Sequence, residues 1–428
     1  MNILMLTNTY TPHIGGVARS VASFSAAYRA LGHRVLVIAP VFEGMPKRET
    51  DVIRVPAIQH FNGSDFSMPV PVPHFLNSSL EQFRPDIVHS HHPFLLGDTA
   101  LRIAAMRNLP VVFTHHTQYE RYTHYIGSGS PRLQRFIMDL VRGYCTLCDA
   151  VIAPSASIAE VLRNNGVATR IEVIPTGVDL TQFNAGDGHA ARAALRIPAD
   201  AFVVGHVGRL APEKNLDFLT DAVAAFLHRH RRAHFLVVGS GPMEQDMRRR
   251  FDEQDLSARL HLSGNLQGRR LADAYQAMDA FAFASQSETQ GMVLVEAMAA
   301  GVPVVAVDAA GVREVVRDRH NGRLLAHEDT AEFAAALAWL AARPRHERET
   351  LAAAARATAE NFSMPRCARR ALALYESLCG AGRAEHDNSV WRTALRLIDN
   401  EWKILANRAS AAGAALKKSA DSPRSTLH

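Results

Sequence analysis

The stretch SQSETQGMVLVEAMAAGVPVV carries two carboxylates at a workable spacing, Glu288 after an apolar run and Glu296 eight residues later, on a helical pattern that starts near Gly291. At about 1.5 Å per helical residue, plus an extended loop, their Cα atoms lie roughly 12 Å or more apart. A glycosidase-type acid and base need carboxyl groups about 5–9.5 Å apart across one bond. The wider span better suits two contacts along one extended ligand, because carboxylates accept hydrogen bonds from sugar and ribose hydroxyls. The backbone amides of Gly291 and Met292, at the helix start, offer a place for phosphate. A capped helix with exposed acids is the plainer alternative.

Two further loops follow apolar runs. In GRLAPEKN, Arg209 and Lys214 are five residues apart after FVVGHV. Two cations there could clamp a diphosphate and stabilise the charge that grows as it leaves, or they could be solvated surface charges. Gly15 and Gly16, after the first apolar run, would let backbone N–H groups approach an anion at a helix start, or simply form a tight turn.

Histidines cluster in HSHHPF (His89, His91, His92) and THHT (His115, His116). Such a cluster could ligate a metal and support a metal-dependent hydrolase. Only Asp98 and Glu120 lie nearby as carboxylate ligands, so the expectation is no metal, with His89 a packed strand-end residue. GSGPM after HFLVVG is an incomplete dinucleotide fingerprint, its third glycine position being Glu244, and reads as a turn shaping a nucleotide site.

The elements that position these residues alternate strand and helix. Strands are expected at Asn2–Thr7, Arg34–Pro40, Asp86–His89, Val111–Thr114, Ala150–Ala153 and Ile171–Ile174, with a first helix from Gly16 to Leu31 burying Val17, Val21, Phe24 and Tyr28. The second half restarts with FVVGHVGRL, then HFLVVGSG, RLHLSG, AFAFAS and GVPVVAV. The pattern predicts an α/β protein of two Rossmann-like domains with parallel sheets. Ligands are expected in the cleft between them, at the strands' carboxyl ends. The expected divisions are 1–185 and 186–364, the two Rossmann-like domains; 365–380, a helix; and 381–428, a basic amphipathic extension.

Composition fits this layout. The 428 residues are 47% hydrophobic and 21% charged, with a net charge of +5, which excludes a disordered or collagen-like chain and gives too little charge to argue for nucleic acid. The start, MNILMLTNTY, reads as a strand and not a signal peptide, and no run is long and apolar enough for a membrane span. Cys145 and Cys148 form a lone C-x-x-C, with Cys367 and Cys379 far off, and ordinary thiols in a reducing cytoplasm are expected. Two stretches are basic and amphipathic. One places Leu133, Phe136, Ile137, Leu140 and Tyr144 on one face beside Arg132, Arg135 and Arg142. The other, in the tail, places Trp391, Leu395, Ile398, Trp402 and Leu405 together, with Arg392, Arg396, Lys403 and Arg408 interleaved. Each either lies in a lipid interface or packs on its own domain.

Glu288-x7-Glu296 followed by AMAAGVPVVA resembles the signature of glycosyltransferase family 4, retaining enzymes of the GT-B fold. GRLAPEKN is similar to that family's donor-phosphate loop, TYTPHIGGVARSV to its N-terminal glycine loop and VIPTGVD to its interdomain hinge, in the family's order as far as about residue 380. The resemblance implies that Arg209 and Lys214 bind the donor diphosphate and support its departure, with no metal or other cofactor. It implies that Glu288 contacts the transferred sugar, that Glu296 accepts from the ribose and that Gly16 approaches phosphate or sugar. It implies that residues 1–185 bind the acceptor, that 186–364 hold the nucleotide sugar, that the helix 365–380 crosses back to the first domain, and that His116 faces the donor sugar and the acceptor. Gly15, Thr289, Gln290, Gly291 and Met292 complete the expected donor site.

Many members carry Gly-Phe-Gly after the first Glu, where this chain has Thr289-Gln290-Gly291. ETQG together with HHTQYERYTHYI is similar to bacterial diacylglycerol glucosyltransferases. The expected activity is transfer of a hexose, glucose from UDP-glucose, to a membrane lipid acceptor, in the cytoplasm or on the inner face of its membrane. Mannosyl or other hexosyl transfer to a polysaccharide or phosphoinositol-type acceptor is the alternative. A metal-dependent hydrolase and a non-catalytic sugar-nucleotide sensor are the readings from other classes.

Overall fold

The computed structural model describes residues 1–13, 15–58, 68–69, 76–117, 131–286, 288–380 and 390–416. Most of HHTQYERYTHYI, Glu120, and the side chains of Trp391, Arg392, Leu395, Arg396 and Ile398 lie outside the described residues. The chain divides into two compact units. One holds Met1–Ala153, Ala159–Val173 and Leu372–His428, and the other holds Pro154–Ile158 and Ile174–Ala371.

The first unit is built on β1 (Asn2–Leu6), β2 (Arg34–Pro40), β3 (Val52–Val55), β6 (Ile87–Ser90), β7 (Val111–Thr114), β8 (Ala150–Ala153) and β9 (Ile171–Val173); β4 (Ala57–Ile58) and β5 (Met68–Pro69) form a short antiparallel pair beside it. The seven strands run in the order β3-β2-β1-β6-β7-β8-β9 and all pair in parallel. Ile3, Leu4, Met5 and Leu6 are all fully buried, as expected of a strand covered by helices on both faces. The Gly16–Ala30 helix buries Val21, Phe24 and Tyr28 at the predicted spacing, while Val17, in its first turn, is half-buried.

The second unit holds β10 (Phe202–Val207), β11 (Ala233–Val238), β12 (Leu260–Leu262), β13 (Ala280–Phe283), β14 (Val304–Val307) and β15 (Gly322–Leu325). Their order is β12-β11-β10-β13-β14-β15, again parallel throughout. Apart from Pro154–Ile158, the unit runs from Ile174, earlier than the glycine-bearing segment near residue 185. The reason is packing: Val178 and Phe183 are buried in the second unit's core with Tyr275, Phe281 and Leu294. The helix Met364–Gly380 spans the division, with Leu372 onward counted in the first unit.

The tail forms the helix Val390–Leu416, which packs on the helices Pro131–Thr146 and Leu96–Arg107 of its own unit. Glu401 accepts from Arg102, Arg408 donates to Asp98, and Asn407 Nδ2 donates to the Leu140 carbonyl at 3.2 Å. The inward stripe is Ile404, Asn407 and Ala411, whereas Trp402 is 72% and Leu405 55% exposed. Small residues let the helices approach closely: a Cβ on Gly143 would lie 1.7 Å from Asn407 Oδ1. Of the other basic helix, Tyr144 is fully buried, its hydroxyl donating to Ser90 Oγ at 2.8 Å.

Candidate active site

In each sheet the strand order reverses beside the strand that starts the unit, at β1/β6 and at β10/β13. Loops leaving the carboxyl ends of strands at such switch points are where α/β sheets bind ligands. GRLAPEKN leaves β10, and the loop carrying Glu288 leaves β13.

The β10 loop is clamped from beneath. Leu210 and Ala211 are buried, and Leu210 N donates to the Ser240 carbonyl at 2.9 Å. Gly239 and Gly241, at φ +143° and +158°, lie so close that a Cβ would meet the Gly208 carbonyl oxygen at 1.8 Å and the Leu210 carbonyl oxygen at 2.2 Å. The GSG sequence after β11 is therefore a seat for the GRL backbone. Held this way, the loop presents Arg209 and Lys214. Arg209 donates to Glu213, and Lys214 donates to Glu288 on the neighbouring loop. The Lys214 and Glu288 side chains are only 19% and 17% exposed, whereas Arg209 is 52% exposed.

The Glu288 loop is fixed by the residue that departs from Gly-Phe-Gly. Gln290 is buried, its Oε1 accepting from Thr176 N and its Nε2 donating to Thr176 O, both at 2.6 Å. Its amide is thus engaged with the VIPTGVD segment. Thr289 is half-buried. Gly291, at φ +71°, turns the chain into the helix Met292–Ala299. Met292 opens that helix, so its N–H is one of the first-turn amides without an intrahelical acceptor. One turn further on, Glu296 is buried, with Tyr275 Oη donating to its Oε2 at 2.8 Å.

In the first unit, Gly15 is extended at φ −167° and Gly16 begins the helix Gly16–Ala30, so neither is required by a left-handed backbone. A Cβ on Gly16 would meet nothing within 4 Å, and one on Gly15 would come 3.1 Å from His13 Nε2. The histidines bond among themselves and to their neighbours. His91 Nδ1 lies 2.9 Å from His116 Nε2, with the rings stacked at 5.2 Å. His89 contacts Thr114 Oγ1 at 2.7 Å and the Tyr375 hydroxyl at 2.6 Å, as a packed strand residue. His92 Nδ1 accepts from Asn8 N. Burial holds His89 and His92 down at about 3 and His115 at about 4, and it also drives His91 and His116 well below the ordinary histidine value. Among the described residues no group of three His, Cys, Asp or Glu is arranged to hold a metal ion. Burial pushes the Cys145 thiol up to about 12 and Cys148 well above its usual value, away from the thiolate a redox C-x-x-C needs.

Two family models match the chain, Glycosyltransferase Family 4 over residues 14–182 and Glycosyl transferases group 1 over residues 188–358. The alpha-monoglucosyldiacylglycerol synthase of Streptococcus pneumoniae is 28% identical over 375 residues, covering 85% of this chain and 83% of its own. The GDP-mannose-dependent alpha-mannosyltransferase of Mycobacterium tuberculosis is 30% identical over 388 residues, covering 89% and 97%. Anabaena HepE, solved in complex with UDP, superposes with a TM-score of 0.69 at 22% identity, over 88% of this chain and 100% of that one. The two parallel-sheet Rossmann-like units have the GT-B architecture, and the protein is a glycosyltransferase. Within that class, the chain belongs to glycosyltransferase family 4. Membership sets aside the hydrolase and the non-catalytic sensor.

Neither Gln290's partner nor the seating of GRL on the glycine turn was read from the sequence. Both pairings are long-range, and only the exchange of Phe for Gln offered a hint. His206, on β10, was also passed over.

Proposed function

We propose that this glycosyltransferase moves a hexose, glucose from UDP-glucose, onto a membrane lipid acceptor such as diacylglycerol with retention of configuration. The supporting observation is the pair of cations at the β10 switch point, Arg209 and Lys214, each already facing a carboxylate, Glu213 or Glu288. In the proposed reaction the bond from the sugar's anomeric carbon to the diphosphate oxygen breaks. The bond to the acceptor oxygen forms on the same face, and the acceptor's proton passes to the leaving phosphate. Arg209 and Lys214 neutralise the charge that develops, in place of a metal ion. Glu288 accepts from the sugar hydroxyls, and Glu296, oriented by Tyr275, from the ribose. The first-turn amides of Gly291 and Met292 serve a phosphate. Gly16 leaves room for the donor, and His116, braced by His91, serves the sugar and the acceptor hydroxyl.

The lipid acceptor is suggested by similarity to the glucosyldiacylglycerol synthase. No helix among the described residues is long and apolar enough to cross a membrane. The exposed Trp402 and Leu405, beside Lys403, are the proposed lipid contact of a peripheral enzyme. Mannosyl transfer from GDP-mannose, to a polysaccharide or phosphoinositol-type acceptor, is the second reading, favoured by near full-length similarity to the mannosyltransferase. Incubation with labelled UDP-glucose, UDP-galactose and GDP-mannose, with and without native lipids, tests both. A glucolipid supports the first reading, a mannosylated product the second, and no transfer from any donor removes the first.

A further inference from the structure

His206 lies near the carboxyl end of β10, two residues before the GRL backbone, and is 1% exposed. Its Nδ1 lies 3.1 Å from the Ala282 carbonyl oxygen on β13. A carbonyl only accepts, so Nδ1 carries the proton and, in the neutral ring, Nε2 is a bare lone pair. That Nε2 is shut away from solvent and has no hydrogen-bond partner among the described residues. A Cβ on Gly208 would stand 3.5 Å from it, so the lone pair lies beneath the start of the GRLAPEKN loop. The rings of Phe281 and Phe283 stack alongside at 6.2 and 6.4 Å.

A buried polar atom without a partner is costly and calls for an explanation. The charges that face this ring are Lys214, which disfavours its protonation, and Glu288, which favours it; burial outweighs both and keeps it neutral, at about 4. A ligand arriving from solvent meets the loop before it reaches Nε2. The ammonium of Lys214 is already on that loop, carries three N–H donors, and in the ligand-free protein is drawn to Glu288.

We propose that His206 is a positioning residue of the donor site: its Nε2 accepts a hydrogen bond from Lys214 when a bound nucleoside diphosphate draws the ammonium away from Glu288, fixing where the lysine charge sits. The inference rests on the donor-site reading of Lys214. An acceptor suits this place because a neutral lone pair can orient an ammonium without competing with phosphate for its charge, as a carboxylate would.

Calorimetric titration of the full-length protein with UDP and with GDP tests this. His206→Phe keeps a ring against Phe281 and Phe283 but removes the lone pair, whereas His206→Gln restores an acceptor near the Nε2 position. The expected result, for whichever diphosphate binds, is about tenfold weaker affinity for His206→Phe, a typical loss for one hydrogen bond to a charged group. His206→Gln should stay within about threefold of the unmodified protein. In a Lys214→Met background, His206→Phe should have no further effect. Unchanged affinity in His206→Phe, an equal loss in His206→Gln, or a loss that persists in the Lys214→Met background would assign His206 to packing and overturn the proposal. Lys214→Met binding both diphosphates as tightly as the unmodified protein would instead overturn the donor-site reading beneath it.

Discussion

Lys214 donates to the carboxylate of Glu288, which comes 74 residues later in the chain, and so ties together the loops that leave β10 and β13. In the proposed reaction a donor takes the ammonium for its diphosphate and the carboxylate for its sugar, exchanging this ion pair for two contacts of its own. Until then each charge compensates the other.

Arg209→Ala and Lys214→Ala should each lower kcat/KM for the donor by a hundredfold or more, on the order of 3 kcal/mol of transition-state stabilisation. Steady-state transfer assays with the preferred donor measure it. Near-normal rates in both variants would remove the two cations from the chemistry.

Gln290→Leu removes both bonds to Thr176 and sets an apolar side chain against that backbone amide and carbonyl. The expected loss is about 2–4 kcal/mol in urea unfolding, together with a raised donor KM, because the loop bearing Glu288 loses its anchor. A stability change below about 0.5 kcal/mol would show that the amide is not an anchor.

Stability should fall on mild acidification. His89 and His92 are held at about 3, and His115 and His206 at about 4, by burial. Their folded values lie below the ordinary unfolded value near 6.5, so below that pH the unfolded chain binds more protons and gains relative stability. Each such group costs about 1.4 kcal/mol at pH 5.5. Urea midpoints recorded from pH 7.5 to 5 should decline steadily, and a flat profile would contradict neutral burial.

Deleting residues 381–428 should strip cover from the helices Leu96–Arg107 and Pro131–Thr146 and deprive Asp98, whose carboxyl burial pushes up, of Arg408. The melting temperature should drop by about 4 °C or more, at roughly 2–4 °C per kcal/mol for a domain of this size. The substitution pair Trp402→Ser and Leu405→Ser should instead leave the melting temperature unchanged and weaken binding to anionic vesicles. Undiminished vesicle binding by that pair would leave the exposed face without a lipid role.

Much of the architecture was legible because buried parallel strands read as continuous apolar runs: Arg34–Pro40, Val111–Thr114 and Ala150–Ala153 lie where the pattern puts them. The edge strands β3 and β15, VIRV and GRLL, were missed because they are short and mixed in character. The loop motifs gave the candidate residues, but not what holds them. Gln290 meets Thr176 across 114 positions, a separation no local spacing reports. In the tail, the amphipathic period marked Trp402 and Leu405 as one apolar face but not that the helix packs through Ile404 and Ala411 instead. The unit boundary moved to Ile174 because Val178 and Phe183 are core residues, which a turn-rich segment conceals.

The first unit is discontinuous, its last pieces coming after Ala371. Tyr375, whose hydroxyl meets both His89 and Tyr28, and the tail helix are made after the whole of the second sheet. On the ribosome the usual order of maturation is therefore inverted: the unit translated first must wait, with its histidine strand and two helix faces uncovered, until the one behind it has been synthesised.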